Sequence, residues 1–296
     1  MSYWKRFCWR FWKILVTSCR KMLLNETPRA AAGISYFVII ALFPAILVVI
    51  AVADSFLGWM NLNTTVIEII IGLFPGSDQF IRSNLAEITT PSTAGIVSCL
   101  VLVLWAVSWI FSFVEGAINS AWDIPNQRTF WESRLRTVAL LTMGSVSLLG
   151  LAAFTTIARI ARLRAATNVY LGNLPGAAYF MGWFWYYVLI ATGVLVMIFI
   201  FAMIYKWTPH CKVFWKEAFS GATVAAVMLE IAGYIFMRLV PIFDYQLVYG
   251  RMGTVVALLA WVYTTNVIII FGANFCAQMH WIHSAKANPK FFHEKP

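Results

Sequence analysis

Two carboxylates, Glu115 and Glu230, stand inside apolar runs long enough to cross a membrane. A charged group at mid-bilayer costs about 2.5–3.5 kcal/mol even on the milder insertion scale, so protonation, a partner or water must offset it. A group held this way can couple ions, contact a substrate or glue helices together. Each glutamate belongs to a stripe at helical spacing. Lys216, Ser220, Thr223, Glu230, Tyr234 and Arg238 share one narrow arc of a helix. Ser108, Ser112, Glu115 and Asn119 share a second, and Tyr263, Asn266 and Asn274 a third. Asn266 is expected near the depth of Glu230, and Asn274 near that of Glu115. Facing one another, the three stripes would line a polar interior. The alternative is interhelical hydrogen bonding with no cavity.

Other clusters are weaker. Cys276, His280 and His283 fall on one helical face, a spacing that could hold zinc. Only three ligands are visible and Trp281 marks an interfacial helix end, so an amphipathic helix leaving the membrane is the preferred reading and no metal is expected. Arg159, Arg162 and Arg164 could receive an anionic head group or extend a helix into solvent. The acids Asp54, Glu68, Asp78 and Glu87 have nothing that fixes them into a site. Five scattered cysteines without a C-x-x-C argue against a disulfide framework. Metalloprotease, P-loop, G-x-S-x-G and dinucleotide signatures are absent, so neither an enzyme nor a cofactor is expected.

The elements that must position these residues follow from composition. Apolar residues make up 61% of the 296 and charged residues 11%, against about 25% charged in soluble domains. Lipid is the natural solvent for such a chain. Six stretches suffice to span a bilayer, at 33–57, 95–117, 137–158, 182–206, 217–240 and 253–276. The fold class is an all-α, polytopic membrane protein, with Pro44 kinking the first span. With the N-terminus inside, inner segments hold 16 Lys and Arg and outer segments 6. That excess places both termini in the cytoplasm. It also accounts for the net charge of +10 without nucleic acid. No cleavable signal peptide is read at the N-terminus.

Residues 1–32 form a cytoplasmic segment, 33–278 the membrane domain with its outer loop 58–94, and 279–296 a short tail. Within the first segment, 3–22 is an amphipathic helix. Trp4, Phe7, Cys8, Phe11 and Leu15 share one face, and Arg6, Arg10, Lys13 and Arg20 lie opposite. This pattern suits the anionic inner leaflet as a partner.

Near the C-terminus, "DYQLVYGRMG" joins two spans on the outer side. Asp244 stands between Arg238 and Arg251. Tyr245 and Tyr249 suit the interface, and Gly250 permits a tight re-entry. These residues are read as an outer rim of a pathway, with a structural hairpin as the alternative.

Three stretches, "AAGISYFVIIALFPAILVV", "EGAINSAWDIP" and "FDYQLVYGRMGTVVALLAWVYTTNVIIIFGANF", resemble the YihY/BrkB family of inner-membrane proteins. The resemblance covers residues 25 to 278. Tyr245, Tyr249, Gly250, Trp261, Tyr263 and the Gly272–Ala273 pair carry it most specifically. It implies six spans with both termini cytoplasmic. Members have carried the label ribonuclease BN, widely regarded as a misassignment, and others are linked to serum resistance or envelope lipid transport. Relatives often have Gly-Ala-Glu where this chain has Gly272-Ala273-Asn274. An amide keeps hydrogen bonding but cannot carry a negative charge.

The functional expectation is a transporter-like protein that moves a lipid or amphiphilic solute through a polar interior of the second, fifth and sixth spans. Glu230 is its principal acid, and Arg238 and Arg251 are outer anion contacts. A structural or regulatory envelope scaffold is the alternative. A homo-oligomer is compatible with either. A ribonuclease would need clustered acids or histidines on a soluble face, and the cytoplasmic segments are short and basic.

Overall fold

The computed structural model describes residues 3–24, 27–57, 93–123, 177–240 and 252–287, with Thr142, Met143, Ser147, Gly150, Ile242, Phe243 and Tyr249 beside them. Six helices stand among the described residues: α1 (Tyr3–Leu24), α2 (Thr27–Leu57), α3 (Thr93–Ala121), α4 (Ala177–Trp207), α5 (Trp215–Leu239) and α6 (Gly253–Ala287). Five of them carry stretches apolar and long enough to cross a membrane: Thr27–Val49, Ala94–Ala121, Ile190–Trp207, Trp215–Leu239 and Gly253–Ile282. The chain is a multi-pass membrane protein. Most of the expected span 137–158, and residues 58–92 of the expected outer loop, lie outside the described residues.

Two boundaries differ most from expectation. The first spanning helix begins at Thr27 rather than residue 33, with Pro28 in its first turn. A proline is tolerated there because its missing N–H has no helical partner to lose. The last helix continues past residue 276 to Ala287. Pro44 lies inside α2.

α6 is the central post. Half of its apolar stretch is buried, more than in any other described span. It packs on α5, α2, α1, α3 and α4, while α2 packs on α3 and α4 on α5. The α5–α6 seam is built from small residues. A Cβ at Gly221 would meet the Gly272 carbonyl at 2.7 Å and the Cys276 Cβ at 2.8 Å. A Cβ at Gly272 would strike the Tyr205 hydroxyl and lie 2.7 Å from Ala225. Ala218, Ala222, Ala225, Ala226, Ala273 and Ala277 are fully buried. In lipid there is no hydrophobic drive between helices, so close van der Waals approach of such residues holds the pair. Tyr205 of α4 donates a 2.8 Å hydrogen bond to the Ile269 carbonyl and ties a third helix to this seam. A second cluster joins α2, α3 and α6 through Ala31, Ile34 and Ile270. There Gly33 leaves room for the Phe113 ring, and Phe37 stacks on Trp109 with centroids 5.8 Å apart.

α1 stands where the amphipathic N-terminal helix was expected. It packs on α6, with Ile14 and Ser18 buried. The face expected to rest on lipid includes Leu15, which is half-buried; the side chains of Trp4, Phe7, Cys8 and Phe11 lie outside the described residues, as do those of Arg6 and Arg10. Trp9, Trp12, Val16 and Leu23 are exposed beside Lys13 and Arg20. Lys21 fixes the helix at one point: its Nζ donates to the Ala121 carbonyl at 2.9 Å and to Asp123 at 2.8 Å. A cation there also meets the negative end of α3.

Candidate functional site

The segment 208–214 connects α4 to α5 and is pinned by two carboxylate–imidazole pairs. His210 places Nε2 2.8 Å from Glu115 Oε1 on α3 and 3.3 Å from Asn119 Nδ2. The His210 backbone N–H donates to Asn119 Oδ1 at 3.2 Å. Glu115 and Asn119 are one helical turn apart, so both reach the same imidazole. At the other end of the segment, Glu217 is 2% exposed. Its Oε2 accepts from the Phe214 N–H at 3.1 Å and lies 2.8 Å from His280 Nδ1. Glu217 is the third residue of α5, where a carboxylate reaching back to the N-cap N–H satisfies an orphan donor. The Phe214 ring stacks on His280, centroids 6.4 Å apart. Lys206 donates to the Val213 carbonyl and lies 5.2 Å over the Trp215 ring.

Cys211 sits inside this segment. Burial first, and then the Glu217 carboxylate, push its thiol up to about 11. Of Cys276, His280 and His283, whose spacing could hold zinc but was read as a helix leaving the membrane, two are described. Cys276 is buried in the α5–α6 seam and His280 turns to Glu217; the His283 side chain lies outside the described residues. Among the described residues no group of three His, Cys, Asp or Glu could hold a metal ion.

The three expected stripes do not converge. On α3, Asn119 is buried and Glu115 and Ser108 are half-buried, but Ser112 is exposed. On α6, Asn266 donates to Ser35 Oγ of α2 at 3.0 Å, and Asn274 donates to its own helix at the Ile270 carbonyl, 3.0 Å away. Both are buried, while Tyr263 is exposed. The α5 stripe points away from the bundle: Lys216, Thr223, Glu230, Tyr234 and Arg238 are all exposed, and Ser220 is half-buried. The reason is on the same helix. Ala218, Gly221, Ala222, Ala225 and Ala226 occupy the opposite arc and take the packing face. Arg238 Nη2 donates to the Tyr234 hydroxyl at 3.2 Å, and its guanidinium lies 5.3 Å from that ring's centroid. Glu230 has no ion pair among the described residues.

Of the expected outer rim, Tyr249 is exposed. Asp244, Tyr245, Gly250 and Arg251 lie outside the described residues, as do Glu68, Asp78, Glu87, Arg159, Arg162 and Arg164 and the side chain of Asp54. His210 and Glu217 were missed by sequence reasoning. Glu217 carried a signal, since it shares an arc with Gly221 and adjoins Ala218. His210 carried none, because its partners stand some ninety residues away.

The family model for virulence factor BrkB matches residues 18–293. The chain belongs to the BrkB family. Among BrkB relatives, the UPF0761 membrane protein of Aggregatibacter aphrophilus is 26% identical over 97% of this chain and 96% of its own length. That of Aeromonas salmonicida is 25% identical over 82% and 80%. That of Chromohalobacter salexigens is 25% identical over 90% of this chain, which spans 64% of that longer protein. These names describe membrane proteins and assign no enzymatic activity. No solved structure matches the chain.

Proposed function

We propose that this BrkB-family chain is a transporter-like protein that moves a lipid or similar amphiphile between the leaflets of the bacterial inner membrane. The head group follows the exposed stripe of α5 while the tails stay in the bilayer. The observation that carries this reading is the outward placement of Lys216, Thr223, Glu230, Tyr234 and Arg238 on one spanning helix. Polar groups facing hydrocarbon are expensive, so a helix that buries alanines and exposes a glutamate has a use for the exposed face. The stripe also has the right length. Lys216 and Arg238 are 22 residues apart, about 33 Å of helix, close to a hydrocarbon thickness of about 30 Å. Each end thus offers a cation at head-group depth. The excess of Lys and Arg supports a cytoplasmic His210 end.

The test is reconstitution of the full chain in vesicles and measurement of transbilayer exchange of labelled phospholipids. Exchange above that of empty vesicles, reduced several-fold by Glu230→Gln, is the expected result. No exchange across a panel of phospholipids and amphiphiles overturns the reading.

An envelope scaffold is the second reading, favoured by the dry Gly/Ala seam and the Asn266–Ser35 contact. Cysteines placed at positions 112, 227 and 266 separate the two. Aqueous labelling at 227 with protection at 266 fits transport; protection at all three fits a scaffold.

A further inference from the structure

We infer that Glu230, Tyr234 and Arg238 form a head-group site for a phospholipid bearing a primary amine, an inference that rests on the transport reading and narrows its substrate. The three residues stand at successive turns on the exposed arc of α5. At the Arg238 end, the guanidinium lies over the Tyr234 ring and donates to its hydroxyl. A tyrosine hydroxyl that accepts from arginine keeps its own proton to donate. The remaining guanidinium N–H groups and this hydroxyl make a donor set suited to phosphate oxygens. One turn further along, Glu230 offers only acceptors when ionised. The combination is bipolar: donors for an anion where the Arg238 guanidinium meets the Tyr234 hydroxyl, then an acceptor for a cation on Glu230, four residues or about 6 Å of axial rise from Tyr234. A phosphate and an ammonium joined by a two-carbon bridge fit that separation.

The same chemistry ranks the alternatives. A primary ammonium has three N–H donors and can form a charge-assisted hydrogen bond to Glu230. A quaternary ammonium has none and depends on aromatic faces; the one ring between these residues, Tyr234, already carries Arg238. A glycerol head group leaves the phosphate opposite Arg238 but brings no cation to Glu230. The site belongs to a lipid rather than a soluble amine because its flanks are apolar. Ile231 and Ile235 on one side of the polar line and Met237 on the other are exposed, a surface for acyl chains rather than water.

The test is lipid retention by the purified full chain, equilibrated in detergent with equal amounts of phosphatidylethanolamine, phosphatidylcholine and phosphatidylglycerol. Bound lipids are counted by native mass spectrometry. The wild-type chain should retain the ethanolamine lipid with a roughly tenfold preference, the scale of one charged hydrogen bond. Glu230→Gln should bring the preference close to unity, and Glu230→Lys should invert it toward phosphatidylglycerol. Arg238→Gln should weaken retention of all three. Equal retention by the wild-type chain, or a preference that survives Glu230→Gln, overturns the site. Displacement by free phosphoethanolamine at the lipid's own concentration overturns the commitment to a lipid. A disulfide joining Tyr234→Cys residues of two chains overturns it in favour of a self-interface. Retention is independent of movement. A preference without transbilayer exchange removes the transport reading and leaves the site; exchange without a preference does the reverse.

Discussion

Glu217 and Glu230 stand on one helix, thirteen residues and roughly 140° apart, and their surroundings are opposite. Glu217 lies on the Gly/Ala arc, buried, with an imidazole and a backbone N–H on one of its oxygens. Glu230 lies on the exposed arc, with no ion pair among the described residues. The first has acceptors used by the fold; the second presents its own on the exposed arc. Glu115 belongs with Glu217, since His210 and Asn119 engage the same corner of α3. On the proposed transport reading, the difference separates carboxylates that hold the helices in place from one positioned to meet a head group.

The largest effect that would break this contrast is expected at Glu217. Removing one member of a buried pair strands the other, and Glu217→Ala should cost about 3 kcal/mol, measured by denaturant unfolding in detergent. A change within error would mean that the pair is not structural. Next comes the seam itself. Gly272→Ala drives a methyl into Tyr205 and Ala225 and should cost about 2 kcal/mol, with a lower thermal midpoint. Cys211 sharpens the picture at the buried end. Its thiol is raised to about 11, so its thiolate is scarce at neutral pH. Alkylation of Cys211 should be slow at pH 7.5 and rise about tenfold per pH unit toward 11; a plateau near pH 9 would show a solvated thiol. The smallest effect on stability is expected at Glu230, where Glu230→Gln should leave the thermal midpoint unchanged while lowering lipid exchange. Unfolding by that variant would place Glu230 among the structural acids.

Much of the architecture was legible because apolar length has few readings. Five of the six expected spans carry helices that cover them almost throughout, and the N-terminal helix is in place. The stripes were legible too, but only as stripes. Helical periodicity says that Thr223, Glu230 and Tyr234 share a face, not which way it points. Direction was set by competition within the helix, where Gly221, Ala222, Ala225 and Ala226 offered closer packing than the polar arc could. A reading that weighed small residues against polar ones would have turned α5 around and found Glu217. His210 lay beyond any such rule. It sits in a connection with no periodicity, and its role depends on α3 lying alongside.

Labelling the two sides of α5 tests the central claim most directly. In the full chain carrying Val227→Cys, reconstituted in vesicles, a membrane-impermeant thiol reagent is applied and modification is read peptide by peptide. Cys276, buried in the α5–α6 seam, serves as the internal reference. The account predicts that position 227 reacts while Cys276 does not. Equal protection of both would contradict it, leaving the exposed arc of α5 without a watered path for a head group.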